Sequence, residues 1–254
     1  MAFNGLSMIR ALARLPHIAW HLGRAGVLGH MANIIILPSW LRQICRLLDK
    51  AVRSRRADKD AGGALCQALV RLGPGFVKFG QALSTRSDLI GPELGRSLAM
   101  LQDRLPPFAA ARARQIVTSQ TGLPIETLFS QFDDEAVAAA SIAQVHRAIL
   151  ADGRSVAVKL LRPDIEKRMQ ADTALFYSLA QIIEWLAPGG RRLHLVTAVA
   201  QFRQLSEIEL DLRLEAAAAG RLADNMRDDE GIYIPWVDLE NSTRQMLIIE
   251  WVEG

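Results

Sequence analysis

Three groups of residues have the types and spacing for phosphate chemistry. The first is Val156-Ala157-Val158-Lys159. Alternation on a strand sends Ala157 and Lys159 to one face and the valines to the other. A lysine on a sheet face can neutralise phosphate oxygens and pair with a helix glutamate. The plainer use of such a residue is to snorkel from a rim into water. The second group is Lys78-Phe79-Gly80-Gln81, which follows Gly73-Pro74-Gly75. The third is Glu209-Leu210-Asp211-Leu212-Arg213-Leu214-Glu215. At about 100° per residue, a continuous helix would put Asp211 and Glu215 on a common face, with Glu209 roughly 200° from Asp211. Glu215 could then meet Lys159 while another carboxylate looks elsewhere. An enclosed lysine needs a carboxylate, because an unpaired buried charge is costly. Gly80, lacking a Cβ, is expected to let its helix approach the sheet-bearing part closely.

Periodicity and turn residues indicate the elements that must position these groups. Leu65, Leu69 and Leu72 form an apolar stripe that Gly73-Pro74-Gly75 breaks. Further helices are predicted over 92–101 and 109–121, separated by Pro106-Pro107 and ended by Gly122. Residues 141–150 and 155–161 read as strands joined by the hairpin dipeptide Asp152-Gly153. A long helix is predicted over 164–187, one further helix over 196–226, and strands over 232–237 and 245–251. Just before the hairpin stands Ala138-Ala139-Ala140-Ser141. Glycines there would let backbone N–H groups approach a phosphate, and alanines restrict that approach.

Half the 254 residues are hydrophobic and 22% are charged, the balance of a folded chain with a core. The net charge of +3 does not argue for nucleic acid. The distribution is uneven. Residues 1–60 hold ten Lys/Arg against three Asp/Glu, and residues 1–48 hold five arginines and no acid. Leu6, Ile9, Leu12 and Leu15 recur at helical spacing, with Arg10 and Arg14 one turn apart. That pattern suits a helix lying on an anionic membrane surface. The uncharged run Ala25–Leu41 is short and interrupted for a span. Cys45 and Cys66 form no CxxC pair, so neither a disulfide framework nor a zinc site is expected. HExxH, Walker A and Gly-x-Gly-x-x-Gly patterns are absent.

The order of helices, hairpin, helices and two strands, closing at Ile249-Glu250-Trp251-Val252-Glu253-Gly254, has the layout of a kinase small lobe up to its hinge. Over about residues 65–254 the sequence resembles the UbiB (AarF-type) family of atypical protein-kinase-like proteins. Residues 72–108, with Lys78-x-Gly80-Gln81 and Leu101-Gln102-Asp103-Arg104, are similar to that family's helical extension. Residues 138–147 are similar to its alanine-rich loop and following strand. Val156–Lys159 resembles its nucleotide-lysine strand, and Glu209-x-Asp211 with Glu215 its acid motif and helix glutamate. The resemblance implies an α+β fold. It comprises a kinase-like small lobe, with an antiparallel sheet of about five strands plus helices, behind an N-terminal helical extension. The segments would be a basic leader over 1–60, the extension over 61–123 and the small lobe over 124–254.

The resemblance also implies ATP and Mg²⁺ as cofactors and a role in ubiquinone (coenzyme Q) biosynthesis. The expected setting is the cytoplasmic face of the bacterial inner membrane or its mitochondrial counterpart. Lys159, Ala138, Ala139, Ala140, Ser141, Glu215 and Glu250 would serve the nucleotide. Lys78, Gly80 and Gln81 would enter from the extension, and Glu209 and Asp211 would hold its lysine. Partners would be ubiquinone-biosynthesis proteins or prenylated lipid intermediates, with no nucleic acid. None of the five histidines is followed two residues later by aspartate, and no Asp-Phe-Gly occurs, so neither a complete catalytic set nor a metal site is expected. The expectation is a truncated, catalytically incomplete fragment. The alternative is a non-catalytic membrane-docking or scaffold fragment for coenzyme Q enzymes.

Overall fold

A computed structural model describes residues 14–26, 28–29, 39–52, 61–85, 91–101, 105–186, 192, 194–229 and 231–253. Leu6, Ile9, Arg10, Leu12 and Gln102–Arg104 lie outside them. The chain forms two compact units, one made of residues up to Gln102 with Glu166–Gln204, the other of Asp103–Ile165 with Leu205–Gly254.

The first unit is helical. It contains α1 (Leu15–Arg24), α2 (Ser39–Val52), α3 (Ala61–Leu72), α4 (Pro74–Ser84) and α5 (Pro92–Ala99). The later helices α8 (Ile165–Leu186), from Glu166 on, and α9 (Leu195–Glu209), as far as Gln204, supply the rest. Helix α4 starts where it does because Gly73 takes φ +115° and Pro74 follows at the first helical position. Gly75 then meets α8 closely. A Cβ at Gly75 would lie 2.8 Å from the Asp172 Cβ and against its Oδ2. Asp172 is buried there, and its Oδ1 pairs with Arg14 at 2.7 Å. Burial pushes its carboxyl above the ordinary range, against the pull of Arg14 and Arg168. Further along α4, Phe79 stacks on Phe176 with ring centroids 4.3 Å apart and meets Phe202 edge-on.

The second unit holds α6 (Ala110–Thr121), the short α7 (Ile125–Leu128), the sheet and α10 (Leu212–Asn225). The strands are β1 (Phe129–Ala139), β2 (Ala143–Leu150), β3 (Ser155–Leu161) and β4 (Met246–Glu250), in the order β1-β2-β3-β4, all antiparallel. The β2–β3 turn uses Gly153 at φ +91°, and the Asp152 carboxylate accepts the Arg154 N–H. Val156, Val158, Leu160, Met246 and Ile248 pack with Ala113, Ile116 and Val117 of α6 into one core.

Two expectations change. The sheet has four strands, and residues 232–237 contribute a single bridge, Val237 to Ile249. Pro235 has no N–H to donate, so a ladder cannot run through it. The predicted helix over 196–226 is two helices. The chain leaves α9 at Leu210, and the Leu212 N–H turns to the Arg244 carbonyl at 3.0 Å.

Candidate phosphate site

Strand β3 places Lys159 between Val145 of β2 and Leu247 of β4. Residues directly opposite in an antiparallel pair share a face. Lys159 therefore stands on a floor of Val145, Ala157, Leu247 and Ile249, opposite the α6 core, and most of that floor is half-buried. Glu215 of α10 meets it: Lys159 Nζ donates to both carboxylate oxygens at 2.8 Å. The lysine side chain is 30% exposed and the glutamate 49%, so the pair is open to a ligand.

Asp211 sets where α10 begins. Its carboxylate accepts the Arg213 N–H as N-cap and holds the Arg213 guanidinium at 2.6 Å. The hydrogen bonds from Arg213 keep the Asp211 carboxyl below its usual range, with Arg244 adding to the effect. Asp211 and Glu215 thus have separate duties, cap and lysine partner, and the helix-face relation expected of Glu209, the last residue of α9, does not apply.

Ala138 and Ala139 close β1 opposite Val145 and Gln144. The Ala140 N–H donates to the Ala143 carbonyl at 2.8 Å, so the turn consumes it internally. Ser141 is fully buried. Arg162, at the end of β3, ties the turn down: Nε donates to the Ala140 carbonyl and an Nη to the Pro106 carbonyl, each at 3.0 Å. Glu250 faces the other way. It stands opposite Val156, on the α6 side, and its carboxylate accepts the Tyr233 hydroxyl and the Trp236 N–H. That hydrogen bond raises the pKa of Tyr233.

Lys78, Gly80 and Gln81 all lie on α4 in the helical unit. Gly80 corrects an expectation. A Cβ there would lie 2.6 Å from Leu101 Cδ1 and 2.8 Å from Leu69 Cδ1, so this glycine lets α4 pack within its own unit. Lys78 is half-buried and roughly 200° around the helix from Gly80. Gln81 Nε2 reaches the Leu101 carbonyl at 3.4 Å.

Gln144 and His146 were not singled out from sequence, and neither was Arg162. Gln144 accepts the Phe108 N–H at 2.8 Å and lies 2.7 Å from His146 Nε2. His146, fully buried, stacks on Phe132 and reaches the Asp133 carbonyl through Nδ1 at 2.8 Å. A neutral imidazole protonated at Nδ1 fits both contacts. Burial lowers the His146 pKa against the Asp133 backbone hydrogen bond. Polar residues at alternate positions on the core side of β2 were the available signal.

Residues 100–254 match the sequence profile of the ABC1 atypical kinase-like domain. The chain belongs to the ABC1 atypical kinase-like family. The relatives of this chain include a probable protein kinase UbiB from Marinobacter nauticus, 44% identical over 193 residues, 76% of this chain and 35% of the relative. Another, from Shewanella halifaxensis, is 38% identical over 93% of this chain and 44% of its own length. The chain thus spans less than half of these bacterial relatives. A solved Mycobacterium tuberculosis structure, Rv3197 with erythromycin, aligns at TM-score 0.51 and 32% identity, covering 85% of this chain and 52% of that one. The ABC1 match spans the whole sheet and the Lys159–Glu215 pair.

Proposed function

We propose that the chain carries the phosphate-binding small lobe and helical extension of a UbiB-type atypical kinase or ATPase-like protein supporting ubiquinone biosynthesis. The observation that carries the nucleotide part is the two-oxygen hold of Glu215 on Lys159. An ammonium has three donors, and two are engaged, so a third serves a phosphate oxygen without breaking the pair. Glu215 fixes the ammonium, and the apolar floor of Val145, Ala157 and Ile249 offers a surface for a flat base. Bound ATP would supply the transferable phosphoryl group. Among the described residues, no group of three or more His, Cys, Asp or Glu side chains could hold a metal ion. Lys78 and Gln81 belong to the same reading as residues that tune nucleotide affinity from the extension. The ubiquinone role rests on the UbiB name of the relatives and on the sequence resemblance.

The setting in this reading is the cytoplasmic face of the bacterial inner membrane. Residues 1–48, with five arginines and no acid, face its anionic lipid. No described helix is long and apolar enough to cross a membrane. One observation favours a second reading, a scaffold that aids coenzyme Q enzymes or holds prenylated intermediates: the alanine turn spends the Ala140 N–H internally. Titration with a fluorescent ATP analogue and Mg²⁺ separates the two. The nucleotide reading expects saturable binding that unlabelled ATP displaces, and the scaffold reading expects none.

A further inference from the structure

We infer that the outward face of α2 is an anionic-bilayer docking surface. Ile44, Leu47 and Leu48 on this helix are 44%, 68% and 45% exposed. With exposed Ala51 they fall at i, i+3, i+4 and i+7, one continuous apolar stripe. The inward face is different: Cys45 is buried, and Val52 lies against Gly23 of α1. Charge is sorted as well. The helix has one acid, Asp49, and its Oδ1 accepts the Gly29 N–H at 3.0 Å, which turns that carboxylate inward. Arg46 and Lys50 are exposed beside the stripe. At about 100° per residue Lys50 lies roughly 110° and Arg46 roughly 150° from its centre, on the flank from which long cationic side chains reach back to lipid phosphates when a helix lies in the interface plane.

A helix merely docked on its own unit would not need Leu47 and Leu48 outward. A protein partner would not require the only acid of the helix to be turned in. An apolar stripe with a cationic edge and no outward acid complements anionic lipid. This inference rests on the membrane reading of residues 1–48 and moves its main contact to residues 44–51.

The test is co-sedimentation of the chain with vesicles of phosphatidylcholine alone and of phosphatidylcholine mixed with phosphatidylglycerol. The wild-type chain should pellet with the mixed vesicles and lose that binding in high salt. Leu47→Glu should weaken it by about tenfold or more, since an apolar contact becomes a charge repelled by the surface. The double variant Arg46→Gln/Lys50→Gln should weaken it by about tenfold and abolish the preference for phosphatidylglycerol. Circular dichroism checks that the variants fold, which exposed positions should permit. Wild-type binding that neither variant changes would overturn the α2 assignment and leave the membrane reading to residues 1–38. No wild-type binding to either vesicle would overturn both. Equal binding to both vesicles would overturn the anionic part. A Leu47→Glu chain that binds vesicles normally but changes its sedimentation would make the stripe a protein interface and overturn the proposal. The nucleotide titration is independent of all these outcomes.

Discussion

Arg162 joins three backbone pieces: its N–H donates to the Ile142 carbonyl, and its guanidinium to the Ala140 and Pro106 carbonyls. A hydrogen bond from a charged donor is worth about 1.5–3 kcal/mol. Arg162→Ala should therefore cost about 2 kcal/mol in urea unfolding and loosen the alanine turn, read as faster amide exchange at Ala140 and Ile142. His146 makes a pH prediction. Its folded pKa is lowered by burial, while the unfolded imidazole titrates near 6.5. Below about pH 6.5 the unfolded chain takes up a proton that the folded chain refuses, so stability falls with acidification until the folded pKa is reached. A protonated Nε2 would face the Gln144 amide donor, and flipping that amide would remove the acceptor of the Phe108 N–H. Urea midpoints should fall as the pH drops below about 6.5 in the wild-type chain and flatten in His146→Gln.

At the scale of elements, Gly75 and Gly80 of α4 make contrasting tests. A Cβ at Gly80 meets the ends of Leu101 and Leu69, which can shift, so Gly80→Ala should cost about 1–3 kcal/mol by overpacking. At Gly75 the obstacle is the Asp172 Cβ, which moves only with α8, so Gly75→Ala should cost more. Asp172→Ala keeps that Cβ but removes the Oδ2 and Cγ that also crowd the site, so it should recover only part of the loss in the double variant, a coupling measurable by a double-mutant cycle. The same elements show what the sequence could reveal. Gly73-Pro74, Gly122 and Asp152-Gly153 marked true boundaries, because each residue's backbone geometry is needed locally. Lys159 was legible because strand alternation left it one face, and Glu215 because the resemblance marked it as the helix glutamate. Strand β1 was not, since Asp133-Asp134-Glu135 interrupts its pattern and its register is irregular. The break between α9 and α10 was missed because Asp211 looks like another surface acid until Arg213 and the Arg244 carbonyl are in place. Gly80 was read toward the wrong neighbour, because a missing Cβ signals close approach without saying to what.

For the whole molecule, the ABC1 match and the sheet agree on a kinase-like small lobe. Lys159 ties its fold to its proposed chemistry. With both side chains partly exposed, the Lys159–Glu215 pair should contribute only about 0–1 kcal/mol to stability. Lys159→Met should therefore melt close to the wild-type chain. Its affinity for nucleotide should behave differently, since the ammonium is the group placed for phosphate. The deciding measurement is an equilibrium titration of the wild-type and Lys159→Met chains with the fluorescent ATP analogue. The account predicts saturable binding by the wild-type chain, weakened about tenfold or more in the variant, consistent with the loss of one charge-assisted contact. A folded Lys159→Met chain that binds the nucleotide as tightly as the wild-type chain would contradict it.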